Sequence, residues 1–242
     1  MRKKKPSIVK LSIVIPCYNE EHNIPLIIKR FEKTRPKSLN LELRLVDNGS
    51  SDNTNKVIRK YMKKYDYLEI TEVKHNQGYG YGIWSGLKQA KGEFLCWTHG
   101  DMQTDIYDAI KAYRLMIKQK DYKTCFVTGS RIGRPLIDQF FTMGMSVFES
   151  ILLQKILSDI NAQPKLFHRS FIEKINDPPK DWSFDLYFYF MAKKMRYRII
   201  KIPVVFAKRI HGTSHWNDGI ASRIRFTKRT MLYSINLRGR IK

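Results

Sequence analysis

The sequence contains few cysteines and no long apolar run. The three cysteines, Cys17, Cys96 and Cys125, lie in or beside apolar stretches, and no two of them form a Cys-x-x-Cys pair. This usage is typical of small buried hydrophobic side chains in a reducing compartment, not of a disulfide framework. No segment approaches the ~20 apolar residues that a membrane-spanning helix needs, and the apolar run after the basic N-terminus is too short for a signal peptide. We therefore expect a cytoplasmic chain that is soluble or bound to a membrane surface.

Acidic residues are also scarce. The chain of 242 residues has 22 Asp and Glu against 45 Lys and Arg, which gives a net charge of +23. This imbalance favours acidic partners, namely nucleic acid, anionic lipid headgroups or a polyphosphate substrate. The sequence has no ribonucleoprotein, zinc or helix-turn-helix signature, which weakens the case for nucleic acid. With 43% hydrophobic and 12% aromatic residues, the composition argues against global disorder.

Apolar runs and turn-forming residues divide the first half of the chain into alternating strands and helices. Short runs of apolar and β-branched residues predict strands at 11–15, 41–46, 68–73, 94–97 and 124–130. Helical periodicity predicts a helix after each of the first four strands, and Asn19 is the expected N-cap of the first helix. Such alternation implies right-handed βαβ units and a mostly parallel sheet.

The second half of the chain has a different pattern. A long Phe-rich helix is predicted over 138–160, and we interpret it as part of the core or of a ligand groove. Four further elements follow: a loop at 161–170, a helix at 181–195, a strand at 197–206 and a basic amphipathic helix at 219–242. The apolar stripe of the last helix suits either a membrane interface or packing on the domain. No linker or repeat interrupts the chain, so a single domain over 1–242 is predicted.

Polar residues and glycines recur where the predicted strands end. In chain order they are Pro16, Tyr18, Asn19, Glu20, Asp47, Asn48, Gly49, Asn76, Gly78, Gly80, His99, Asp101, Gln103, Gly129, Ser130 and Arg131. Ligands of open parallel sheets bind outside the carboxyl ends of the strands, so we expect these residues to line a site. Taken singly, the segment that starts at Asp47 is also typical of a turn with a helix cap, and the glycines from Gly78 onward of a flexible loop.

The stretch FLCWTHGDMQTD, residues 94–105, brings His99 and Asp101 to the end of an apolar strand. The chain has neither a G-x-G-x-x-G directly after its first strand nor a P-loop lysine motif, which excludes two common phosphate-binding fingerprints. One carboxylate together with a substrate diphosphate suffices to bind Mg²⁺ or Mn²⁺, and His99 would favour Mn²⁺. The stretch therefore indicates a metal–phosphate site, with an ordinary solvated loop as the alternative.

Four motifs occur together, namely IVIPCYNEEHNI, LRLVDNGSSDNT, HNQGYGYGIWSGLKQAKGE and THGDMQ. In order and spacing they resemble the family 2 glycosyltransferases of GT-A fold, and most of all the branch of dolichol- and polyprenol-phosphate mannose synthases. The resemblance is strong over residues 8–132 and looser over 133–242. It implies an α/β fold of GT-A type with a mostly parallel central sheet and flanking helices. The Rossmann-like half at 8–132 would bind a nucleotide sugar, and the half at 133–242, which ends in the basic helix, would bind the acceptor.

The resemblance also implies roles for individual residues. The nucleotide would contact Pro16, Tyr18, Glu20, Asp47, Asn76, Gly78 and Gln103. Asp101 would bind the Mn²⁺ or Mg²⁺ that bridges the diphosphate, with His99 beside it. For a hydroxyl acceptor, Asp185 is the expected base, and Asp181 is the second candidate. A lipid phosphate needs no strong base, and basic residues would hold it instead: Arg131, Lys165, Arg169, Arg209 and His215.

Three features depart from the family's usual pattern. His99 stands where the first aspartate of an Asp-x-Asp pair is usual, His215 stands where a lysine is common, and the transmembrane tail of many relatives is missing. We expect a metal-dependent, inverting glycosyltransferase that is cytoplasmic and peripheral on the inner face of the membrane. Its expected partners are a nucleotide-diphosphate sugar, a polyprenyl-phosphate or surface-glycan acceptor, an anionic membrane surface and a separate membrane protein. The alternative is a catalytically impaired protein of the same fold that binds nucleic acid or other polyanions.

Overall fold

A computed structural model describes residues 8–134, 136–207, 209–211 and 220–241. Seven strands form one sheet: β1 Leu11–Cys17, β2 Leu41–Asn48, β3 Leu68–Val73, β4 Phe94–Trp97, β5 Cys125–Ile132, β6 Lys165–His168 and β7 Arg198–Val205. Seven α-helices accompany them: α1 Asn23–Thr34, α2 Thr54–Met62, α3 Tyr79–Gln89, α4 Tyr107–Met116, α5 Leu136–Leu153, α6 Phe184–Lys194 and α7 Ile220–Ile241. Among the helices in these ranges, none combines the length and the hydropathy that crossing a membrane requires.

The sheet has the strand order β3-β2-β1-β4-β6-β5-β7. Every neighbouring pair is parallel except the two pairs that involve β6, which runs antiparallel to β4 and to β5. The predicted mostly parallel α/β architecture is therefore confirmed. The carboxyl ends of β1, β2, β4, β5 and β7 meet at one edge, whereas β6 ends at the opposite edge.

Helices cover both faces of the sheet. On one face, α1, α2 and α4 share one apolar cluster with the strands, to which they contribute residues such as Phe31, Ile58 and Ile110. On the other face, α3 and α6 pack against an aromatic layer that includes Trp97 and Phe167. This three-layer arrangement buries the central strands on both sides, so it fixes the strand ends as a rigid platform for the loops.

Three sequence predictions about secondary structure are wrong. Residues 161–170 are not only a loop, because they contain β6; its first residue, Lys165, is fully buried and hides the apolar pattern of a strand. Asn19 does not cap α1, which begins at Asn23 after His22. The helix predicted over 138–160 ends at Leu153, and two of its three aromatic residues are exposed and lie outside the core. Phe140, for example, is 66% exposed.

Candidate functional site

The loops that follow β1 and β2 are bonded to each other at the carboxyl edge of the sheet. Asn19, which has a positive φ of 57°, accepts a hydrogen bond from the Ser51 backbone N–H (2.9 Å) and donates its own N–H to the Ser50 hydroxyl (3.1 Å). The Glu20 N–H donates to the Thr54 hydroxyl at 2.8 Å. These contacts hold the loop after β1 against the loop after β2. Tyr18 and Glu20 therefore lie beside the β2 loop, and Tyr18 is 43% exposed.

Asp47 is a buried carboxylate that organises the β2 loop. Its two oxygens accept hydrogen bonds from the Ser50 N–H (3.0 Å) and from the Asn55 side-chain amide (2.9 Å). Asp52 accepts from the Thr54 N–H at 2.9 Å, at the start of α2. The segment therefore has the bonding of a turn with a helix cap, and this bonding also holds Asp47 at the sheet edge.

The loop before α3 is packed rather than open. Gly78 has a φ of +110°, and a Cβ added to it would meet the Lys180 carbonyl oxygen at 2.5 Å. The Asn76 side chain accepts from the Gly78 N–H at 2.8 Å, and the Asn48 amide donates to the Gly78 carbonyl at 3.1 Å. The glycine thus permits a close approach of two loops, and the flexible-loop interpretation is wrong.

A junction of three side chains, Asp101, Gln103 and Arg209, joins the β4 loop to the segment after β7. Asp101 is 5% exposed; its Oδ1 accepts from the Gln103 N–H (3.0 Å) and its Oδ2 lies 2.8 Å from Nη2 of Arg209. Nε of Arg209 donates to Oε1 of Gln103 at 3.2 Å. The Gln103 side chain and backbone also bond to Ala207. We call these three residues the Asp101 junction.

Glu20 lies at the mouth of the Asp101 junction. Burial raises the pKa of its carboxyl to about 7, with a further rise from the negative charges of Asp101 and Asp52. The Asn23 amide, which donates to Glu20 at 2.5 Å, and the positive charge of Arg209 lower it in part. The edge of the sheet therefore groups the carboxylates of Glu20 and Asp101 near the guanidinium of Arg209.

The residues of the junction fit a divalent metal that shares its ligands with a substrate. Asp101 and Gln103 offer oxygen atoms of the type that Mg²⁺ and Mn²⁺ prefer. Both side chains contact the guanidinium of Arg209, so a metal would share these oxygens with Arg209. Across the described ranges, no group of three or more His, Cys, Asp or Glu side chains could hold a metal without further ligands. The ring of His99 lies 6.0 Å from that of Tyr79 and is half-buried.

Asp185 lies inside the fold, behind the end of β4. It is 1% exposed, and its Oδ1 accepts from Nε1 of Trp97 (3.2 Å) and from Nε2 of Gln163 (2.5 Å). Burial, together with the charge of Asp185, raises the pKa of the Tyr79 hydroxyl well above its usual range. The carboxylate is therefore bound to buried donors and is not presented to solvent.

Sequence reasoning missed an aromatic wall beside this network. The rings of Tyr79 and Trp182 stack at 4.1 Å with an interplanar angle of 11°, and Trp182 is 38% exposed. Gln163 donates to the Tyr79 hydroxyl at 3.3 Å and connects the wall to Asp185. The glycine-rich loop carries one of the two rings and the DWSFD segment carries the other. The two residues are separated by nearly half of the chain, so the sequence gave no signal that their rings would stack.

The structure separates the basic residues predicted to hold an acceptor phosphate. Arg131 is held by Asp159, to which it donates from its backbone N–H (2.6 Å) and from Nε (2.7 Å). Lys165 is fully buried; its Nζ donates to the Thr128 hydroxyl (3.0 Å) and the Ala162 carbonyl (3.1 Å), and burial lowers its pKa to about 8. Neither residue presents a free charge to the cleft.

Arg169 lies at the opposite edge of the sheet. It donates to the carbonyl oxygens of Gly92 (2.8 Å) and Ala90 (2.6 Å), which precede β4. The reason is the antiparallel direction of β6, which carries its carboxyl end away from the Asp101 junction. The structure therefore places Arg169 away from the other residues predicted to contact the acceptor phosphate. Arg209 lies in the junction, and His215 lies outside the described residues.

Two solved structures are similar to this fold. Glucosyl-3-phosphoglycerate synthase from Mycobacterium tuberculosis, in complex with Mn²⁺, uridine diphosphate and glucosyl-3-phosphoglycerate, matches with a TM-score of 0.70 and 13% identity, over 95% of this chain and 79% of that chain. The structure of S. aureus TarS 1–349 matches with a TM-score of 0.59 and 21% identity, over 82% of this chain and 60% of that chain. At these identities the likeness shows the fold, and it confirms the predicted GT-A architecture.

Curated relatives match in sequence along most of the chain. The dolichyl-phosphate beta-glucosyltransferase ALG5D of Trichomonas vaginalis is 26% identical over 240 residues, which cover 92% of this chain and 70% of the relative. The dolichyl-phosphate beta-glucosyltransferase of Dictyostelium discoideum is 25% identical over 215 residues, 81% of this chain and 66% of the relative. The model described as Glycosyl transferase family 2 matches residues 12–176, well over half of the chain. As the four motifs predict, this chain belongs to glycosyl transferase family 2.

Proposed function

We propose that this protein transfers a hexose, with glucose as the first candidate, from a uridine-diphosphate sugar to a polyprenyl phosphate, with inversion at the anomeric carbon. The dolichyl-phosphate beta-glucosyltransferases that match 81–92% of the chain support the acceptor and the sugar. Uridine diphosphate in the solved structure of similar fold supports the nucleotide. The observation that carries the proposal is the Asp101 junction, where the loops of β4 and β7 meet beside the joined loops of β1 and β2.

The nucleotide fits the edge formed by the β1, β2 and α3 loops. Pro16 and Tyr18 would contact the base, and the amide donors and carbonyls of the loops at Asp47 and Asn76 would contact the ribose and base edges. Gly78 keeps these loops close together, because any side chain there would collide with the Lys180 carbonyl. Glu20, half-buried near Asp101, would lie between the ribose and the diphosphate.

The leaving diphosphate belongs at the Asp101 junction. Asp101 and Gln103 would hold Mn²⁺ or Mg²⁺, with His99 as a further candidate ligand. When bound, the metal supplies a Lewis acid for the developing charge of the leaving group. Arg209, which already contacts both metal-binding side chains, would place its guanidinium against the same phosphates and stabilise that charge electrostatically.

The acceptor oxygen is best supplied by a phosphate rather than by a sugar hydroxyl. Both candidate bases have partners: Asp185 is buried against Trp97 and Gln163, and Asp181 bonds to the Ser183 N–H (2.9 Å) and faces Arg229 (3.5 Å). A phosphate oxygen is already ionised, so it forms the bond to the anomeric carbon without a base while the bond to the diphosphate breaks. Attack from the face opposite the leaving group inverts the centre.

We also propose which part of the chain binds each substrate and where the protein acts. Residues 8–132 would bind the donor, and residues 133–242 would bind the acceptor and contact the membrane. A polyprenyl phosphate resides in a bilayer, and a net charge of +23 favours an anionic membrane surface, so we place the protein peripherally at the cytoplasmic face. A separate membrane protein remains a candidate partner.

A transfer assay that varies the donor, the acceptor and the metal independently tests this proposal. Purified protein is incubated with UDP-glucose, UDP-N-acetylglucosamine or GDP-mannose, with a polyprenyl phosphate or the corresponding polyprenol in detergent, and with or without Mn²⁺. We expect a polyprenyl-phosphate hexose from one UDP-sugar and no product from the polyprenol. Asp101→Asn should abolish transfer, while Asp66→Asn, an exposed aspartate just before β3, should not change it. Product on the polyprenol instead would contradict the phosphate acceptor.

The basic surface favours one second candidate, a catalytically impaired protein that binds polyanions. It predicts no transfer from any nucleotide sugar in the assay above. It also predicts salt-sensitive binding of RNA or polyphosphate that Asp101→Asn leaves unchanged. Filter binding at two salt concentrations separates the two functions.

A further inference from the structure

The outer side of α5 carries an uninterrupted row of apolar side chains. We call Leu136, Phe140, Met143, Val147 and Ile151 the α5 stripe; their spacing of four, three, four and four residues places them along one side of a helix. All five are more than half exposed, from 53% for Val147 to 84% for Leu136. A row of large apolar side chains with this exposure marks an interaction surface rather than an ordinary solvated face.

The opposite side of α5 is packed within the protein. Ser146, Glu149 and Leu153 are buried there, and Leu153 belongs to the same core as Leu237 of α7. The buried side of α7 continues this contact through Thr230 and Ser234. The protein therefore holds α5 by its inner side and leaves the α5 stripe facing outward.

Basic residues lie at both ends of α5 and on the neighbouring α7. Lys155 follows the end of α5 and Lys228 lies on the neighbouring α7, and both are exposed. Arg134 precedes α5 and is half-buried, and its guanidinium donates to the Thr142 hydroxyl (2.9 Å) and the Asp138 carbonyl (3.3 Å). The acids of α5 are Asp138, in its first turn, and Glu149, which is buried.

These apolar and basic residues together favour a lipid bilayer as the binding partner of the α5 stripe. An apolar ridge with basic neighbours complements the boundary between anionic headgroups and acyl chains. A second copy of the chain fits less well, because each copy carries a net charge of +23 and like charges would meet at the contact. The start of α5 lies four residues beyond the end of β5, so the most exposed member, Leu136, lies nearest the edge that carries the Asp101 junction.

We propose that the α5 stripe is a membrane-docking element, which enters the interface of an anionic bilayer while Lys155 and Lys228 contact lipid phosphates. This inference rests on the proposed function for its setting, since it brings the bilayer to the edge where a lipid phosphate would react. It assigns the insertion to α5, whereas the sequence pattern offered only the basic C-terminal helix as a membrane element, with packing on the domain as its alternative.

Vesicle sedimentation tests the proposal with three variants. Phe140→Ser/Met143→Ser removes the centre of the stripe, Lys155→Gln/Lys228→Gln removes two charges, and Ile117→Ser, 47% exposed at the end of α4, is the matched control. The probes are vesicles of phosphatidylcholine alone and of phosphatidylcholine with 30% phosphatidylglycerol. Thermal midpoints confirm folding, which these exposed substitutions should leave intact.

The wild-type protein should bind the anionic vesicles, and the Phe140/Met143 variant should bind at least roughly tenfold more weakly. The charge variant should lose affinity only for the anionic vesicles, and the Ile117 variant should behave as wild type. Equal binding by the Phe140/Met143 variant overturns the proposal. So does a wild-type protein that ignores vesicles and forms a dimer which the same variant breaks.

A second readout separates this inference from the proposed function. Transfer to a short-chain, detergent-soluble polyprenyl phosphate should be equal for the wild type and the Phe140/Met143 variant. Transfer to long-chain acceptor in vesicles should fall together with binding. If transfer is absent throughout while the binding pattern holds, the proposed function fails and the docking surface stands.

Discussion

The Asp101 junction and the α5–α7 helix pair each bury one carboxylate, in opposite ways. Asp101 is 5% exposed, and each of its oxygens has a donor. Glu149 is fully buried, and within the described chain neither of its oxygens has a hydrogen-bond partner. Burial raises the pKa of Glu149 to about 7, and the Ser234 hydroxyl offsets this only in part.

The difference shows what each region is built for. At the junction, backbone and side-chain donors hold charged groups in fixed places, which prepares the site to stabilise a charged transition state. In the helix pair, the described residues provide no hydrogen-bond donor to the Glu149 carboxylate, and the outer side exposes the α5 stripe. Such a pair suits an apolar environment on its outer side and a neutral Glu149 inside.

The largest effect is expected from Arg209→Gln. The substitution leaves Asp101 without its cation and removes a contact to the leaving diphosphate, so kcat/KM for transfer should fall roughly 100- to 1000-fold, about 3–4 kcal/mol. Arg114→Gln, on the exposed side of α4, is the control. An unchanged kcat/KM for Arg209→Gln would show that Arg209 does not contribute to the transfer reaction.

Gly78→Ala should cost about 3 kcal/mol of unfolding free energy, because it combines a positive φ with a 2.5 Å approach to the Lys180 carbonyl. Urea denaturation measures the loss, and nucleotide binding should weaken with it. A stability equal to wild type would mean that the two loops are not in contact.

Glu149→Gln should stabilise the protein in a pH-dependent way. The folded-state pKa of about 7 exceeds the ordinary value of 4.5, so the wild-type stability from this group is complete below pH 4.5 and is lost as the pH rises through 7. Glutamine imitates the protonated form at every pH. Urea denaturation should therefore show similar stabilities near pH 4.5 and a gain of about 2–3 kcal/mol at pH 8. Glu173→Gln, at an exposed position, should show no such gain, and a gain that does not vary with pH would contradict this account.

The smallest effect is expected from Gly144→Ala in α5. An added Cβ there meets nothing within 4 Å, and alanine favours a helix, so stability should rise by about 0.5–1 kcal/mol. The same substitution thus has opposite signs at Gly78 and Gly144. A loss at Gly144 would show that the outer side of α5 is covered in solution.

Sequence reasoning found the elements whose pattern is local. The runs at 68–73 and 94–97 are strands with the predicted bounds, and β1 and β2 extend two residues beyond theirs. Parallel strands place their carboxyl ends together, so the meeting of the loops at Asn19 and Asp101 followed from topology alone.

What the sequence could not show depends on partners distant in the chain. The ion pair of Arg131 with Asp159, 28 residues away, could not be read from the sequence. Arg169 lies at the opposite edge of the sheet because it follows β6. The sequence did not predict β6, because the strand begins with a charged residue, Lys165. Hydrophobicity likewise marks Phe140 as apolar but does not say whether protein or lipid covers it, so the stripe appeared as core.

The central claim, that the Asp101 junction is a donor site, is tested most directly by calorimetric titration with uridine diphosphate. Wild type, Asp101→Asn and Asp66→Asn are titrated with and without Mn²⁺, and with GDP, CDP and dTDP as competitors for specificity. The account predicts that uridine diphosphate binds to the wild type and to Asp66→Asn, more tightly with Mn²⁺, and that Asp101→Asn loses the Mn²⁺ dependence. Absence of nucleotide binding by the wild type, with or without metal, would contradict it.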